Sequence, residues 1–154
     1  MPRGRPLRVE ILGTGDELVR GRSRDTNFAA IAARLTEEGH EVRGGRIVGD
    51  DLADLVRAIR EAARRADAVI VTGGLGPTED DLTRSAVSAF AGRPLVEHAP
   101  SRRRILASWR RRGMPMPPEN LRQALFPRGA TVIPNRVGSA PGFMIQVRRR
   151  RMFC

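Results

Sequence analysis

Thr72-Gly-Gly-Leu-Gly-Pro-Thr-Glu-Asp-Asp-Leu-Thr83 is the stretch that decides the fold. It follows Ala68-Val-Ile-Val71, an apolar run too short for a helix and rich in β-branched residues, which predicts a buried strand. Gly73, Gly74 and Gly76 then allow a sharp turn and leave room for a ligand to reach main-chain N–H groups. Glu79, Asp80 and Asp81 stand where a helix is expected to begin, running from about residue 81 to 91 with Leu82, Ala86 and Phe90 inward. A strand, a glycine turn and a helix N-terminus together form an anion cradle. Carboxylates in such a cradle repel a bare phosphate but suit one that arrives with a divalent cation. The same acids also serve as ordinary helix-start residues, so this window alone leaves both readings open.

Strand and helix signals alternate outward from this window. Arg8–Gly13 reads as the first strand. Asp25 or Thr26 caps a helix with Phe28, Ile31, Ala32 and Leu35 on one face, and Gly39 stops it. Glu41–Val48 is a second strand, weakened by Gly44 and Gly45. Asp50 or Asp51 starts a long helix with Leu52, Leu55, Val56, Ile59 and Ala63 on one stripe. After residue 91 the pattern predicts a helix over 101–112 and an irregular stretch over 113–118. A short helix over 119–125 and strands at 130–133 and 143–147 follow, joined by a Pro/Gly loop. Strands alternating with helices imply right-handed crossovers and a mostly parallel sheet. Residues 1–7 are read as a flexible N-terminus and residues 8–154 as one domain.

In such sheets ligands bind beyond the carboxyl ends of the strands. Acids follow three successive strands there: Asp16 and Glu17, Asp50 and Asp51, and the 79–81 cluster. Several carboxylates on one rim repel unless a cation neutralises them, so a functional site is expected beside the glycine turn. Other chemistries find no support. Gly13-Thr-Gly15 lacks the third glycine of a dinucleotide fingerprint, and two His with one Cys make no conventional zinc site.

The net charge of +11 comes from 28 basic residues, every one of them Arg. They are dispersed, and Arg102–Arg104 and Arg110–Arg112 surround a helix whose buried stripe is Ile105, Leu106 and Trp109. Aromatic residues are only 4%, which offers single strands no stacking platform, so no specific nucleic-acid partner is expected. Cys154 has no partner for an internal disulfide, and no apolar run approaches the roughly 20 residues of a membrane span. A cytoplasmic protein free of the membrane is expected.

The window Thr72–Thr83 resembles the signature of the molybdenum-cofactor-biosynthesis domain, in the form found in the branch of competence/damage-inducible CinA proteins. Gly13-Thr-Gly-Asp-Glu-Leu18, Asp25-Thr-Asn27, Val48-Gly-Asp50, Gly113–Pro118 and Pro134–Gly142 resemble the family's other loops in order and spacing. The resemblance implies a three-layer αβα domain around that mostly parallel sheet, binding a phosphorylated, nucleotide-like or molybdopterin ligand. In the CinA branch it implies a pyrophosphatase that splits ADP-ribose into AMP and ribose 5-phosphate with Mg, Mn or Co. Carried over by position, Asp50 and Asp81 become the catalytic candidates. Gly73, Gly74, Gly76, Thr78, Thr83 and Asn27 are expected at the ligand, with Ser139, Ala140, Pro141 and Gly142 on a facing loop. Glu17, Asp80 and Asp81 are the expected metal ligands.

The ending departs from that pattern. CinA proteins continue into a Leu-Pro-Gly-Val-Pro turn and then an amidohydrolase domain acting on nicotinamide mononucleotide, whereas this sequence reads Arg148-Arg-Arg-Arg-Met-Phe-Cys154. The expectations are therefore a shortened domain without deamidase activity and a strand continuing through Val147–Arg151. An exposed edge there favours a homo-oligomer and aggregation that rises with salt.

Overall fold

The computed structural model describes residues 5–154. β1 (Arg8–Thr14) is buried along nearly its whole length and pairs in parallel with β2 (Glu41–Val48) on one side and β3 (Ala68–Thr72) on the other. Three further short strands lie later in the chain: β4 (Leu95–Glu97), β5 (Leu125–Pro127) and β6 (Thr131–Ile133). β7 (Gly142–Val147) and β8 (Arg150–Phe153) form a hairpin. The main sheet runs β2-β1-β3-β8-β7-β6, parallel from β2 to β8 and antiparallel beyond, while β4 and β5 form a separate ribbon.

Helices cover both faces. α1 (Asp16–Val19) is a single turn after β1. α2 (Thr26–Glu37) starts where Asp25 accepts the Phe28 N–H at 2.8 Å, and Gly39 follows it with φ +83°. Phe28 sits over Gly45, where a Cβ would overlap its ring. The glycine expected to weaken β2 is thus the seat of α2. Across the sheet, Asp51 accepts the Asp54 N–H at 2.8 Å to cap α3 (Leu52–Arg65), whose Leu55, Ile59 and Ala62 are fully buried. Arg64 and Arg65 close its last turn, where the helix dipole favours cations. α4 (Thr83–Ala91) lies beside it and ends at Gly92 with φ +62°, and α5 (Ala99–Arg111) follows β4. Leu12, Val69, Val71, Phe143, Ile145 and Met152 meet α3 and α4 in the main core. No helix among the described residues is long and apolar enough to cross a membrane.

The tail differs from expectation. Val147–Arg151 does not continue one strand: the chain reverses at Arg148, whose φ is +55°, and returns as β8 between β3 and β7. Met152 is fully buried there, so the last strand is an inner one and the exposed edges lie at β2 and β6. Smaller differences have local causes. α5 starts at Ala99 because His98 caps it, and a 3₁₀ turn at Pro118–Ala124 replaces the short helix. Of the expected flexible N-terminus, residues 1–4 lie outside the described residues. Leu7 is tied down, its N–H to His40 Nδ1 and its carbonyl to the Glu41 N–H.

Asp67 joins three of the strands at their starting ends. Its carboxylate accepts from the Arg8 N–H at 3.1 Å, from Arg8 Nη2 at 2.9 Å and from Arg150 Nη1 at 3.1 Å. Its carbonyl accepts the Arg151 N–H, and its own N–H donates to Arg8 O. Hydrogen bonds from the Arg8 guanidinium, and then from the Arg8 N–H, hold the Asp67 carboxyl well below the usual carboxylate range. A carboxylate favoured in this way stabilises the fold above its unfolded pKa of about 4 and loses that contribution as pH falls toward the folded value. Asp67→Asn is therefore expected to be less stable than wild type at pH 7, with a smaller loss between pH 4 and 2. Urea denaturation at both ends of that range measures it. Met152→Ala should cost about 2–5 kcal/mol through the cavity left between β3 and β7, read by the same method at pH 7.

Candidate ligand-binding site

The carboxyl ends of β2, β1 and β3 lie side by side and carry three loops on one rim, around residues 49–51, 15–25 and 73–82. The glycine loop is shaped by contacts within the protein. Gly73 has φ +93° and faces the Thr14 carbonyl so closely that a Cβ would overlap it. Gly74 has φ +61°, and a Cβ there would stand 2.6 Å from Thr83 Oγ1. The buried Thr83 hydroxyl donates to Gly73 O at 2.8 Å. The space these glycines provide is thus filled by β1 and by the start of α4.

Asp81 does not begin a helix. It folds back to accept from Gly76 N at 2.7 Å, Thr78 N at 2.8 Å and Thr78 Oγ1 at 2.6 Å, which delays α4 to Thr83. From the other side Arg84 Nη2 donates to Leu75 O at 2.5 Å. One side chain takes the loop's donors and the other its acceptors. The N–H groups of Gly74 and Leu75 meet no acceptor among the described residues. Burial lowers the Arg84 guanidinium to about 10, and burial pushes the neighbouring Cys154 thiol up, so that group stays protonated.

The other acids reach the rim but do not converge on one point. Asp16 and Asp50 brace each other, each carboxylate accepting the other's main-chain N–H, at 3.0 and 3.2 Å, and Asp16 also binds Arg20 at 2.7 Å. Asp51 caps α3. Glu17 and Asp80 are exposed, as is Asn27 on the first turn of α2. Among the described residues no group of three or more His, Cys, Asp or Glu is placed to hold a metal ion, so Glu17, Asp80 and Asp81 do not assemble as the expected ligand set. Asp81 is the clearest reason, because both its oxygens already hold the loop.

The loop from Pro134 to Pro141 lies on the same side of the sheet and is organised by Asn135. Its side chain accepts from Val137 N and Gly138 N and donates to Ala140 O at 3.0 Å, while Arg104 binds its carbonyl. Ser139 and Pro141 line a cleft of 460 Å³ with His98, Ser101 and Arg104. Gly142 is required where Cys154 O crosses it. A smaller cleft of 180 Å³ lies behind the glycine loop, between Thr78, Asp81, Arg84 and Arg122. Sequence reasoning missed Arg84, Asn135 and His98. The one available signal was Arg84, an arginine in the first turn of a helix whose dipole disfavours cations.

The family described as probable molybdopterin binding domain matches residues 10–154. The chain belongs to that family. It is 52% identical over 149 residues to a CinA-like protein of Anaeromyxobacter sp. (strain Fw109-5), covering 97% of this chain and 36% of that relative. A CinA-like protein of Anaeromyxobacter dehalogenans (strain 2CP-C) is 51% identical with the same 36% coverage, so the chain spans about a third of the curated relatives it matches. Among solved structures, the protein CinA with unknown function from Thermoplasma acidophilum superposes with a TM-score of 0.87 at 32% identity, covering 96% of this chain and 86% of that one. The molybdopterin biosynthesis enzyme MoaB from Thermus thermophilus shares the fold, with a TM-score of 0.61 at 23% identity over 96% and 79% of the two chains.

In this molybdopterin-binding-type domain the close approach at Gly73 is the least replaceable contact of the loop, because the neighbour is backbone. Gly73→Ala should destabilise the protein by roughly 2 kcal/mol or more, through positive φ and the displaced Thr14 carbonyl. Chemical denaturation checks this, with the exposed Gly21→Ala as the comparison: it shares the positive φ but meets no atom within 4 Å.

Proposed function

We propose that this domain binds a phosphorylated ligand of nucleotide or pterin type at the rim formed by β1, β2 and β3. The observation that carries the reading is the pair of N–H groups at Gly74 and Leu75, unpaired at the carboxyl end of a parallel strand and held in place by Asp81 and Arg84. Fixed, unpaired N–H groups in that position suit an anion because their dipoles need no rearrangement to meet it. Ser139–Gly142, beside a second cleft, supplies a wall for the rest of the ligand. The partner is a small molecule rather than a nucleic acid.

The resemblance of the Thr72–Thr83 window to the CinA branch favours a second reading, hydrolysis of a phosphoanhydride such as ADP-ribose to AMP and ribose 5-phosphate with a divalent metal. The geometry supports binding better than turnover. Asp81 is engaged with its own loop through both oxygens, and Asp50 accepts the Asp16 N–H through one of its two.

Calorimetric titration of the folded chain with AMP and ADP-ribose should show saturable binding without added metal. Asp81→Asn, which cannot accept both Gly76 N and Thr78 N, should weaken that binding about tenfold. Absence of binding by AMP, ADP-ribose and a pterin phosphate would remove the proposal. Release of AMP from ADP-ribose on adding Mg, Mn or Co would establish the hydrolytic reading instead.

A further inference from the structure

Arg84 is a buried charge with no ion-pair partner among the described residues. It is 4% exposed. Nη2 donates to Leu75 O at 2.5 Å and, more weakly, to Gly76 O at 3.4 Å. Nε is sealed from water with no acceptor among the described residues, and the hydrogen bonds there use only Nη2, which leaves Nη1 as the nitrogen available to a ligand. Asp81 acts on it through space, but both Asp81 oxygens are occupied by loop donors. A cation buried in this way is costly unless something completes its hydrogen bonding.

The surroundings indicate what would do so. Arg84 lines the 180 Å³ cleft together with Gly76, Thr78, Ser85 and Arg122, with Leu95 and Leu125 forming the apolar side. That volume equals about six waters, enough for one phosphate group and its ester oxygen. Arg122 reaches in from the 3₁₀ turn, and its one acidic neighbour among the described residues is Glu79 at 3.8 Å, whose side chain is 92% exposed. Two guanidiniums from different elements can each meet separate oxygens of a tetrahedral anion, while the Ser85 hydroxyl remains for another.

We propose that Arg84 and Arg122 form a phosphate subsite in this cleft, taking a terminal phosphate of the ligand held at the rim. The proposal rests on the rim reading for the rest of the ligand, but the subsite is testable by itself with inorganic pyrophosphate. Because Asp81 stands close by, both arginines are needed to favour an anion, and loss of either is felt strongly.

The test is calorimetric titration of wild type, Arg122→Ala, Arg84→Lys and Arg84→Met with inorganic pyrophosphate, AMP and adenosine. AMP should bind at least tenfold more tightly than adenosine. Arg122→Ala, a surface change, should lower AMP and pyrophosphate affinity about tenfold and leave adenosine unchanged. Arg84→Met should lose more, and Arg84→Lys should regain part of it because the cation is kept. AMP binding that is tighter than adenosine but unchanged in Arg122→Ala overturns the subsite and leaves the rim reading intact. Pyrophosphate binding that Arg122→Ala abolishes, with no nucleotide bound, supports the subsite and removes the rim reading. If Arg84 only straps the loop, Arg84→Met lowers the melting temperature but Arg84→Lys restores no affinity, and the proposal fails.

Discussion

The sheet depends on the Asp67 carboxylate. It stands between α3 and β3 and holds Arg8 at the start of β1 and Arg150 at the start of β8. Three parallel strands are thereby aligned at their first residues, which fixes how far each extends toward the rim. Register matters here because a slip of one residue would turn every core side chain of a strand to the other face. Val9 opposite Ala68, and Ala68 opposite Arg151, follow from this alignment. The loops that emerge from the far ends of these strands inherit it.

At the opposite end the protein repeats the device on a smaller scale. Asp81 and Arg84 clasp the glycine loop from two sides, one taking N–H groups and the other carbonyls. Asp16 and Asp50 tie the first two loops together through their own main-chain N–H groups. The charges on the rim therefore act first as structure. What those clasps leave unpaired among the described residues is backbone, the N–H groups of Gly74 and Leu75. Rigid backbone donors suit recognition of phosphate, since little ordering is required when the ligand arrives.

The sequence was most legible where a single physical signal dominated. Ala68–Val71 and the Leu55/Ile59 stripe show as a strand and a helix because their apolar spacing matches those periods, and Asp25 and Asp51 act as caps at the positions expected. β8 was hidden because four arginines precede its two apolar residues, and because the turn at Arg148 uses positive φ without a glycine. β4 and β5, three residues each, are held by each other and by neighbouring helices, so their local sequence carries little signal. The positions of the rim acids were readable, since they follow from strand order. Which oxygens were already engaged was not, because that depends on distances of a few ångströms between residues far apart in sequence, such as Asp16 and Asp50.

The seating of Phe28 on Gly45 has a dynamic consequence. α2 contains no fully buried residue; its inner face is Phe28, seated over Gly45, with Ile31, Ala32 and Leu35 only half-buried. Such an element opens locally at low free energy, and its amides should exchange with solvent well before those of α3 on the other face. Asp25, which begins α2, packs against Gly13 just below the rim. Opening of this helix would therefore draw Asp25 away from Gly13 and loosen the first loop of the rim.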